Sequence, residues 1–232
     1  MIDFYYAPTP NGWKVAIMLE DCGLEYRTRL MKLSEGDQFA PEFLAISPNA
    51  KMPAIVDHGS EGAPVSVFES GAILIYLARK TGQFMPDGPL AEKEMLEWLF
   101  WQVGNQGPMA GQLSHFVNYA PPGEDYGRQR YAGEYDRNLG VLENRLEGRD
   151  YILGEYSIAD MIAFPWAFIA KPLGASLEQF PNVADWRGRI KQRPAVQRAI
   201  DLHKDRQNRG QATAQNNSVL FNQSAEHLRP KT

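Results

Sequence analysis

The sequence predicts an α/β domain with the element order β-α-β-α-β-β-α, followed by an all-α domain. Short apolar runs bounded by proline and glycine alternate with helical segments in the first part of the chain, whereas every long segment after residue 84 has apolar residues at helical spacing. The composition, 44% hydrophobic and 22% charged in 232 residues, is typical of globular proteins. We predict domains at 1–84 and 85–206, with an extended tail at 207–232.

The first strand and helix are predicted from a proline break. Residues 2–7 form an apolar and aromatic run that ends at Pro8, which indicates a buried strand. Asn11 is the predicted N-cap of the helix that follows, and Gly23 lies where that helix stops. The helix has one apolar stripe at i, i+3, i+4 and i+7, which predicts that Cys22 is buried. The stripe consists of Val15, Met18, Leu19 and Cys22.

The remaining elements of the first domain follow in order. Residues 25–33 alternate as in a strand, and 39–46 resemble a short helix. The runs 54–56 and 65–68 are separated by glycines, which predicts a hairpin, and a helix is predicted over 70–81. We expect the first two strands to be parallel, joined by a helical crossover, and the last two to be antiparallel.

The second domain shows two apolar stripes and one strong cap. Ser157, with Asp160 three residues later, forms an acidic variant of the capping box and predicts a buried helix that begins there. Two shorter helices are predicted near 183–192 and 195–206. The stripes are Leu96, Leu99, Phe100 and Val103, and Tyr135, Leu139, Leu142 and Leu146.

Charge and cysteine content exclude several classes of protein. The 24 basic and 28 acidic residues give a net charge of −4 without a basic stripe, so we expect no nucleic-acid partner. No apolar run approaches the roughly 20 residues that cross a bilayer, and the amino terminus lacks a secretory pattern, so we expect a cytoplasmic protein. The single cysteine excludes an internal disulfide framework, and the four histidines lack metal-ligand spacing, so we expect no metal.

Three polar sites in the first domain point to one ligand. Thr9 and Asn11 flank the first strand-to-helix turn, where helix amides attract anions. Glu69 and Ser70 precede another helix and suit the ammonium and carboxylate of an amino-acid head group. The Met52–Pro53 bond has the type of sequence that adopts cis geometry and could present the Met52 backbone to a peptide. Together they predict a small anionic peptide ligand.

Each of these residues also has a structural interpretation. Thr9 and Asn11 suit a turn and a helix cap, and Ser70 suits an N-cap. A lone thiol on an apolar helical stripe is usually a core residue, so we assign no chemistry to Cys22. The combination of sites, rather than any single one, favours a binding function.

With these motifs in this order, the chain resembles the cytosolic glutathione transferase family over roughly residues 1–206, and within it the bacterial Nu class. The resemblance also rests on the all-helical second domain and its capping box. The motifs that carry it are residues 7–12 (APTPNG), 46–49 (ISPN), 51–57 (KMPAIVD), 68–74 (FESGAIL) and 107–109 (GPM).

The resemblance implies a thioredoxin-like first domain that binds glutathione as a co-substrate. It implies that Thr9 and Asn11 are catalytic residues that hold the glutathione sulfur. The residues implied in glutathione binding are Gln38, Lys51, Met52, Pro53, Glu69, Ser70 and Arg130, with Met52 at the cysteinyl part, Glu69 and Ser70 at the γ-glutamyl head, and Gln38 and Lys51 near the remaining carboxylate. Aromatic side chains of the second domain are core or interface residues by default, but we expect Phe116, Tyr119 and Trp166 to line a second-substrate pocket.

The reaction implied is reduction of small disulfides by the thiolate of bound glutathione, without a protein cysteine, in a homodimer. Two alternatives stay open. The same thiolate could conjugate glutathione to small electrophiles, or the chain could be a non-catalytic binding or regulatory protein of the same fold.

Overall fold

The computed structural model of the protein describes residues 1–59, 62–206, 219–221 and 223–228. These residues form two units. The first contains Met1–Leu77 and the described residues from Arg198 onward, and the second contains Ala78–Gln197. The division falls earlier than the predicted boundary at residue 84, and the assignment of domains stays a prediction.

A four-stranded mixed sheet organises the first unit. Its strands are β1 (Ile2–Tyr6), β2 (Tyr26–Leu30), β3 (Ala54–Asp57) and β4 (Val65–Phe68), in the spatial order β2-β1-β3-β4. β1 and β2 are parallel, while β3 is antiparallel to both β1 and β4. The predicted parallel crossover and the predicted hairpin are both confirmed.

Helix α1 (Pro10–Asp21) connects β1 to β2 and is buried on all sides from Gly12 to Leu19. Its N-cap is Thr9, so the prediction that Asn11 caps the helix was wrong by two residues. Proline is favoured at the first helical position because its φ angle is already helical, and Pro10 therefore moves the cap upstream. Cys22 is the C-cap and half-buried, not buried as its spacing predicted, because the chain has left the helix there.

The remaining helices of this region are α2 (Pro41–Leu44) and α3 (Ser70–Thr81). The α3 prediction was confirmed, but the predicted helix at 39–46 is only one turn long. Two 3-10 turns, Leu33–Glu35 and Asp37–Phe39, precede it. The backbone of Ala40 is extended, with φ −63° and ψ 135°, so Ala40 is the N-cap and the helix begins at Pro41.

The second unit is helical throughout its described elements. These are α4 (Pro89–Trp101), α5 (Gly107–Asn118), α6 (Asp125–Leu146), α7 (Ile158–Phe168), α8 (Pro181–Lys191) and α9 (Pro194–Asp201), whose last residues belong to the first unit. A π-helical turn, Gln102–Gln106, joins α4 to α5. A 3-10 turn at Lys204–Arg206 follows α9, so the predicted helix 195–206 ends early.

The apolar stripe predicted for α4 was partly wrong. Phe100 is 68% exposed, while Met95, Leu99, Gln102 and Gln106 are the buried residues of this helix and the π turn. Both Gln102 and Gln106 are buried, and Gln106 Nε2 donates to the Ala163 carbonyl at 3.2 Å, the kind of hydrogen bond that allows an amide to be buried. A hydrophobicity pattern does not predict that a glutamine is buried.

The α6 and α7 predictions were confirmed. All four residues of the α6 stripe are buried, and Ser157 and Asp160 form the complete capping box at the start of α7. Within the predicted extended tail, Ala225–Leu228 forms a short 3-10 helix in the first unit. The tail residues 207–218, 222 and 229–232 lie outside the described residues. None of the helices described is long and apolar enough to span a membrane.

Candidate active site

The start of α1 is the first part of the site. The N-cap Thr9 has an extended backbone, and its Oγ1 accepts a hydrogen bond from the Gly12 amide at 3.4 Å. Asn11 is half-buried in the first turn, which contains no acidic residue. The positive end of the helix dipole is therefore not balanced by a carboxylate of its own first turn, an arrangement that suits a bound anion.

Close packing fixes this helix start against the end of β1. A Cβ atom added at Gly12 would lie 2.2 Å from the Ala7 carbonyl oxygen and 2.8 Å from the Tyr6 ring. No side chain fits in that space, so glycine is required. The contact holds Thr9 and Asn11 in a fixed position relative to the sheet.

The loop before β3 is the second part of the site. The Met52–Pro53 peptide bond is cis, as its sequence suggested. The side chain of Met52 packs against a buried cluster that includes Met31 and Phe43. Ser47 Oγ donates to the carbonyl oxygen of Lys51 at 2.8 Å. The loop is therefore held by this hydrogen bond and by the packing of Met52.

Thr9 and Met52 meet at the centre of the site. Thr9 Oγ1 lies 4.0 Å from Met52 Sδ, and the same oxygen accepts from Gly12. A hydroxyl that accepts one hydrogen bond still has its own hydrogen to donate, and here the nearest acceptor is a thioether sulfur, which is weak. A thiolate brought to this place would be a stronger acceptor, because hydrogen bonds to ionised groups are about twice as strong as neutral ones.

Glu69 and Ser70 form the third part of the site, at the start of α3. Ser70 is buried, whereas Glu69 is exposed and adopts φ +68°. This left-handed conformation is uncommon for a residue with a side chain, costs on the order of 1 kcal/mol, and is often found at ligand sites. The exposed carboxylate is available to a ligand ammonium.

Lys14 is a charged residue of this region that the sequence analysis missed. Its side chain is 2% exposed, and burial lowers the pKa of its ammonium to about 7, although the carboxylate of Glu69 opposes this change. A signal was present in the sequence, since the uninterrupted apolar run from Val15 to Leu19 predicts a helix that is buried all round. The neutral amine is therefore favoured more than in an exposed lysine, and the Glu69 carboxylate is the group that supports the charged form.

Gln38 and Lys51 are the remaining predicted ligand residues of the first unit. Gln38 is 2% exposed, and its Oε1 finds no hydrogen-bond partner in the part of the chain that the structure describes. Lys51 is exposed and donates from Nζ to Gln223 Oε1 at 3.1 Å. Gln223 was also missed, because only the folded chain brings residues so far apart in sequence together.

Arg130 belongs to the second unit, on α6. Its guanidinium is 56% exposed and pairs with Glu134 at 2.6 Å, one helical turn away. Arg137 binds the other oxygen of the same carboxylate at 3.0 Å. A role for Arg130 in glutathione binding stays a prediction.

The three aromatic residues predicted for a second-substrate pocket occupy different environments in the second unit. Phe116 stacks on Tyr131 with ring centroids 5.6 Å apart, Tyr119 is exposed, and Trp166 is buried. A separate cavity of about 440 Å³ is lined by other residues, which include Leu113 and Phe180. The predicted pocket therefore stays untested.

Cys22, the only cysteine of the chain, lies at the opposite end of α1 from Thr9. A helix of twelve residues is about 18 Å long, so the thiol is too far from Thr9 to act at the same place. Among the residues that the structure describes, no cluster of histidine, cysteine and acidic side chains has the arrangement of a metal site.

Comparison with known proteins identifies the class. Residues 2–79 match the family model of the glutathione S-transferase N-terminal domain, and residues 122–194 match that of the C-terminal domain. The chain belongs to the glutathione S-transferase family, and its sheet order and helical second unit are those of that fold.

Individual members of the family are similar to this chain over most of its length. The chain is 48% identical to disulfide-bond oxidoreductase YfcG of Escherichia coli over 203 residues, which is 86% of this chain and 94% of the relative. A Burkholderia graminis glutathione transferase with two glutathione molecules bound per subunit is 45% identical, with a TM-score of 0.82 over 90% of this chain and 89% of that one. A Pseudomonas putida glutathione transferase with one glutathione disulfide bound per subunit is 40% identical, with a TM-score of 0.81 over 87% and 91%.

Proposed function

We propose that the protein is a glutathione-dependent disulfide-bond reductase that uses the thiolate of bound glutathione and no cysteine of its own. The observation that carries the proposal is the separation of the only cysteine, Cys22, from the hydroxyl of Thr9 by the whole length of α1. The nucleophilic sulfur must then come from the ligand. The Escherichia coli relative that is 48% identical is named for the same reaction.

The reaction is balanced with two glutathione molecules. The first thiolate attacks one sulfur of the substrate disulfide, which forms a mixed disulfide and releases one substrate thiolate. The second glutathione thiolate attacks the glutathione sulfur of the mixed disulfide, which yields glutathione disulfide and the second substrate thiolate. The two protons lost by glutathione protonate the two product thiols. The Burkholderia graminis relative binds two glutathiones and the Pseudomonas putida relative binds glutathione disulfide, the forms that this reaction interconverts.

In this proposal Thr9 and Asn11 hold the glutathione sulfur at the start of α1. Hydrogen bonds and the positive end of a helix favour a thiolate over a thiol and so lower the thiol pKa. This role for Thr9 is supported because its Oγ1 caps the start of α1 and lies 4.0 Å from the thioether sulfur of Met52, which is only a weak acceptor for the hydroxyl.

The rest of the site would bind the peptide. The Met52 backbone pairs with the cysteinyl unit, while Glu69 and Ser70 bind the γ-glutamyl ammonium and carboxylate. Gln38 Oε1, which has no partner among the described residues, accepts a hydrogen bond from a ligand N–H. Lys51 binds the glycine carboxylate.

The finer assignments belong to the same proposal. We place the chain in the Nu class, as a cytoplasmic homodimer, on the motifs that surround Thr9, Met52 and Glu69. Arg130 and the aromatic residues Phe116, Tyr119 and Trp166 keep their predicted roles until variants at these positions are measured.

The experiment that tests the proposal compares two substrates. The purified protein is incubated with glutathione and either hydroxyethyl disulfide or an aromatic halide, with Cys22→Ala measured in parallel. We expect faster turnover of the disulfide and nearly unchanged activity in the variant. Faster turnover of the halide would favour conjugation, and no heat on titration with glutathione or its disulfide would favour a non-catalytic protein. A folded but inactive Cys22→Ala protein would refute the scheme without a protein cysteine.

A further inference from the structure

The described part of the carboxyl-terminal chain, residues 219–221 and 223–228, contacts the amino-terminal part of the same unit near two of the proposed ligand residues. We call these residues the C-terminal segment. A Cβ built at Gly36 would lie 3.9 Å from Val219 Cγ1, and the rings of Phe39 and His227 are 4.9 Å apart. Gln38 lies between these two contact points in sequence.

Gln223 makes the direct contact with the proposed site. Its Oε1 accepts the hydrogen bond from Lys51 Nζ at 3.1 Å. Its Nε2 donates to the carbonyl oxygens of Val219 and Leu220 at 3.4 and 3.0 Å. The reversed amide would set a donor against the ammonium and an acceptor against two carbonyl groups, so the hydrogen-bond network fixes its orientation.

A glutamine suits this position because it is neutral. An ammonium has three N–H donors, and Gln223 uses one of them while it leaves the positive charge of Lys51 intact. A carboxylate in its place would pair with the ammonium and cancel that charge. The contact therefore restrains a long, exposed side chain and preserves its attraction for an anion.

We propose that Gln223 is a positioning residue of the glutathione site, which holds the Lys51 ammonium where it meets the glycine carboxylate of bound glutathione. This inference rests on the proposed function, since the ligand is glutathione in both. Gln223 acts through Lys51 and has no contact with the reacting sulfur. Its loss should therefore change binding of glutathione and not the chemical step.

The test measures binding by titration calorimetry with two ligands. One is glutathione, and the other is its monoethyl ester, in which the glycine carboxylate is blocked. The full-length proteins compared are the wild type, Gln223→Ala, Gln223→Glu and Gln197→Ala, a control that makes the same exchange at an exposed position of α9. Thermal denaturation checks that each variant is folded.

We expect Gln223→Ala to weaken glutathione binding about fivefold, because the ligand must then immobilise a long side chain that Gln223 otherwise restrains. Gln223→Glu should weaken it about tenfold or more, because its carboxylate competes with the ligand for Lys51. Both variants should bind the ester as the wild type does, within about twofold, since the interaction that Gln223 supports is absent there. In steady-state kinetics KM for glutathione should rise with kcat unchanged, and Gln197→Ala should match the wild type.

Each contrary result has a distinct meaning. Unchanged or tighter glutathione binding by Gln223→Ala would overturn the inference, and tighter binding would mark the C-terminal segment as an inhibitory cover. Equal losses with glutathione and with the ester would also overturn it, since they would indicate a general structural effect. If the wild type bound neither ligand, the proposed function itself would fail.

Discussion

Two helix starts in this protein use the same kind of cap for different purposes. Thr9 caps α1 and Ser157 caps α7, and each hydroxyl accepts a backbone hydrogen bond of similar length, 3.4 and 3.3 Å. At α7 the hydroxyl of Ser157 also donates a hydrogen bond to the carboxylate of Asp160, at 3.3 Å. At α1 the first turn has no acidic residue, and the hydroxyl of Thr9 lies toward a sulfur atom instead.

The difference separates a structural cap from the cap that we propose to hold the ligand. Asp160 is fully buried, and its carboxylate accepts from the amides of Ile152 and Ser157 and from Trp186 Nε1, at 3.0, 3.0 and 2.8 Å. Burial raises the pKa of Asp160 to about 6, and these hydrogen bonds limit the rise. The α7 start carries its own carboxylate, whereas the first turn of α1 has no acidic residue to balance the helix dipole.

The largest expected effect is on the stability of the α7 start. Asp160→Ala should lower the free energy of unfolding by about 3–5 kcal/mol, because three buried N–H donors lose their acceptor. Urea denaturation measures this change. Asp136→Ala, at an exposed acidic residue of α6, is the control and should have little effect. A loss below about 1 kcal/mol in Asp160→Ala would mean that the buried donors find other partners.

The next effect concerns the contact between α1 and β1. Gly12→Ala should destabilise the protein by about 2–3 kcal/mol, because the new methyl group would collide with the Ala7 carbonyl. Gly133→Ala is the matched control, since a Cβ at this position of α6 has no atom of the described residues within 4 Å apart from its own helix backbone and chain neighbours. That control should stabilise the protein by about 0.5–1 kcal/mol through helix propensity. Equal effects of the two substitutions in urea denaturation would contradict the close approach.

A smaller effect, which depends on pH, is expected from the buried cation of α1. The pKa of Lys14 falls from 10.5 to about 7 in the folded protein, so between these values the unfolded chain binds more protons and stability rises with pH. Below pH 7 the full cost of the buried charge remains. Lys14→Met should therefore stabilise the protein by about 1–3 kcal/mol near pH 6 and by less near pH 10.

Urea denaturation at the two pH values measures the Lys14 effect. Lys191→Met, at an exposed residue of α8, is the control and should show no such dependence. A stability difference between Lys14→Met and the wild type that is the same at both pH values would show that Lys14 is charged, or neutral, throughout the range.

The two helix starts also show what the sequence could predict. The capping box at Ser157 is a local signal with a short, fixed spacing, and it was confirmed residue by residue. The α1 cap was misplaced by two residues, because Thr9 and Asn11 both have capping side chains, and the preference of Pro10 for the first helical position selects Thr9. Both caps follow from local sequence, but the second depends on the proline that lies between the two candidates.

The same limit applies to the site. Thr9, Met52, Glu69 and Ser70 were predicted because each lies next to the start or the end of a predicted strand or helix. Lys14 was missed because its residue type usually lies at the surface, although the apolar run after it indicated burial. Gln223 lies 172 residues from Lys51, and no local pattern indicates such a contact.

The central claim is that the reacting sulfur belongs to glutathione and is held as a thiolate by Thr9. The ultraviolet absorbance of the thiolate, followed against pH in the complex with glutathione, tests it directly when the wild type, Cys22→Ala, Thr9→Ser and Thr9→Val are compared. The account predicts a thiol pKa below the free value of about 8.5 in the first three proteins, and a return toward that value in Thr9→Val, which lacks the hydroxyl. A low pKa that persists in Thr9→Val, or one that disappears in Cys22→Ala, would contradict it.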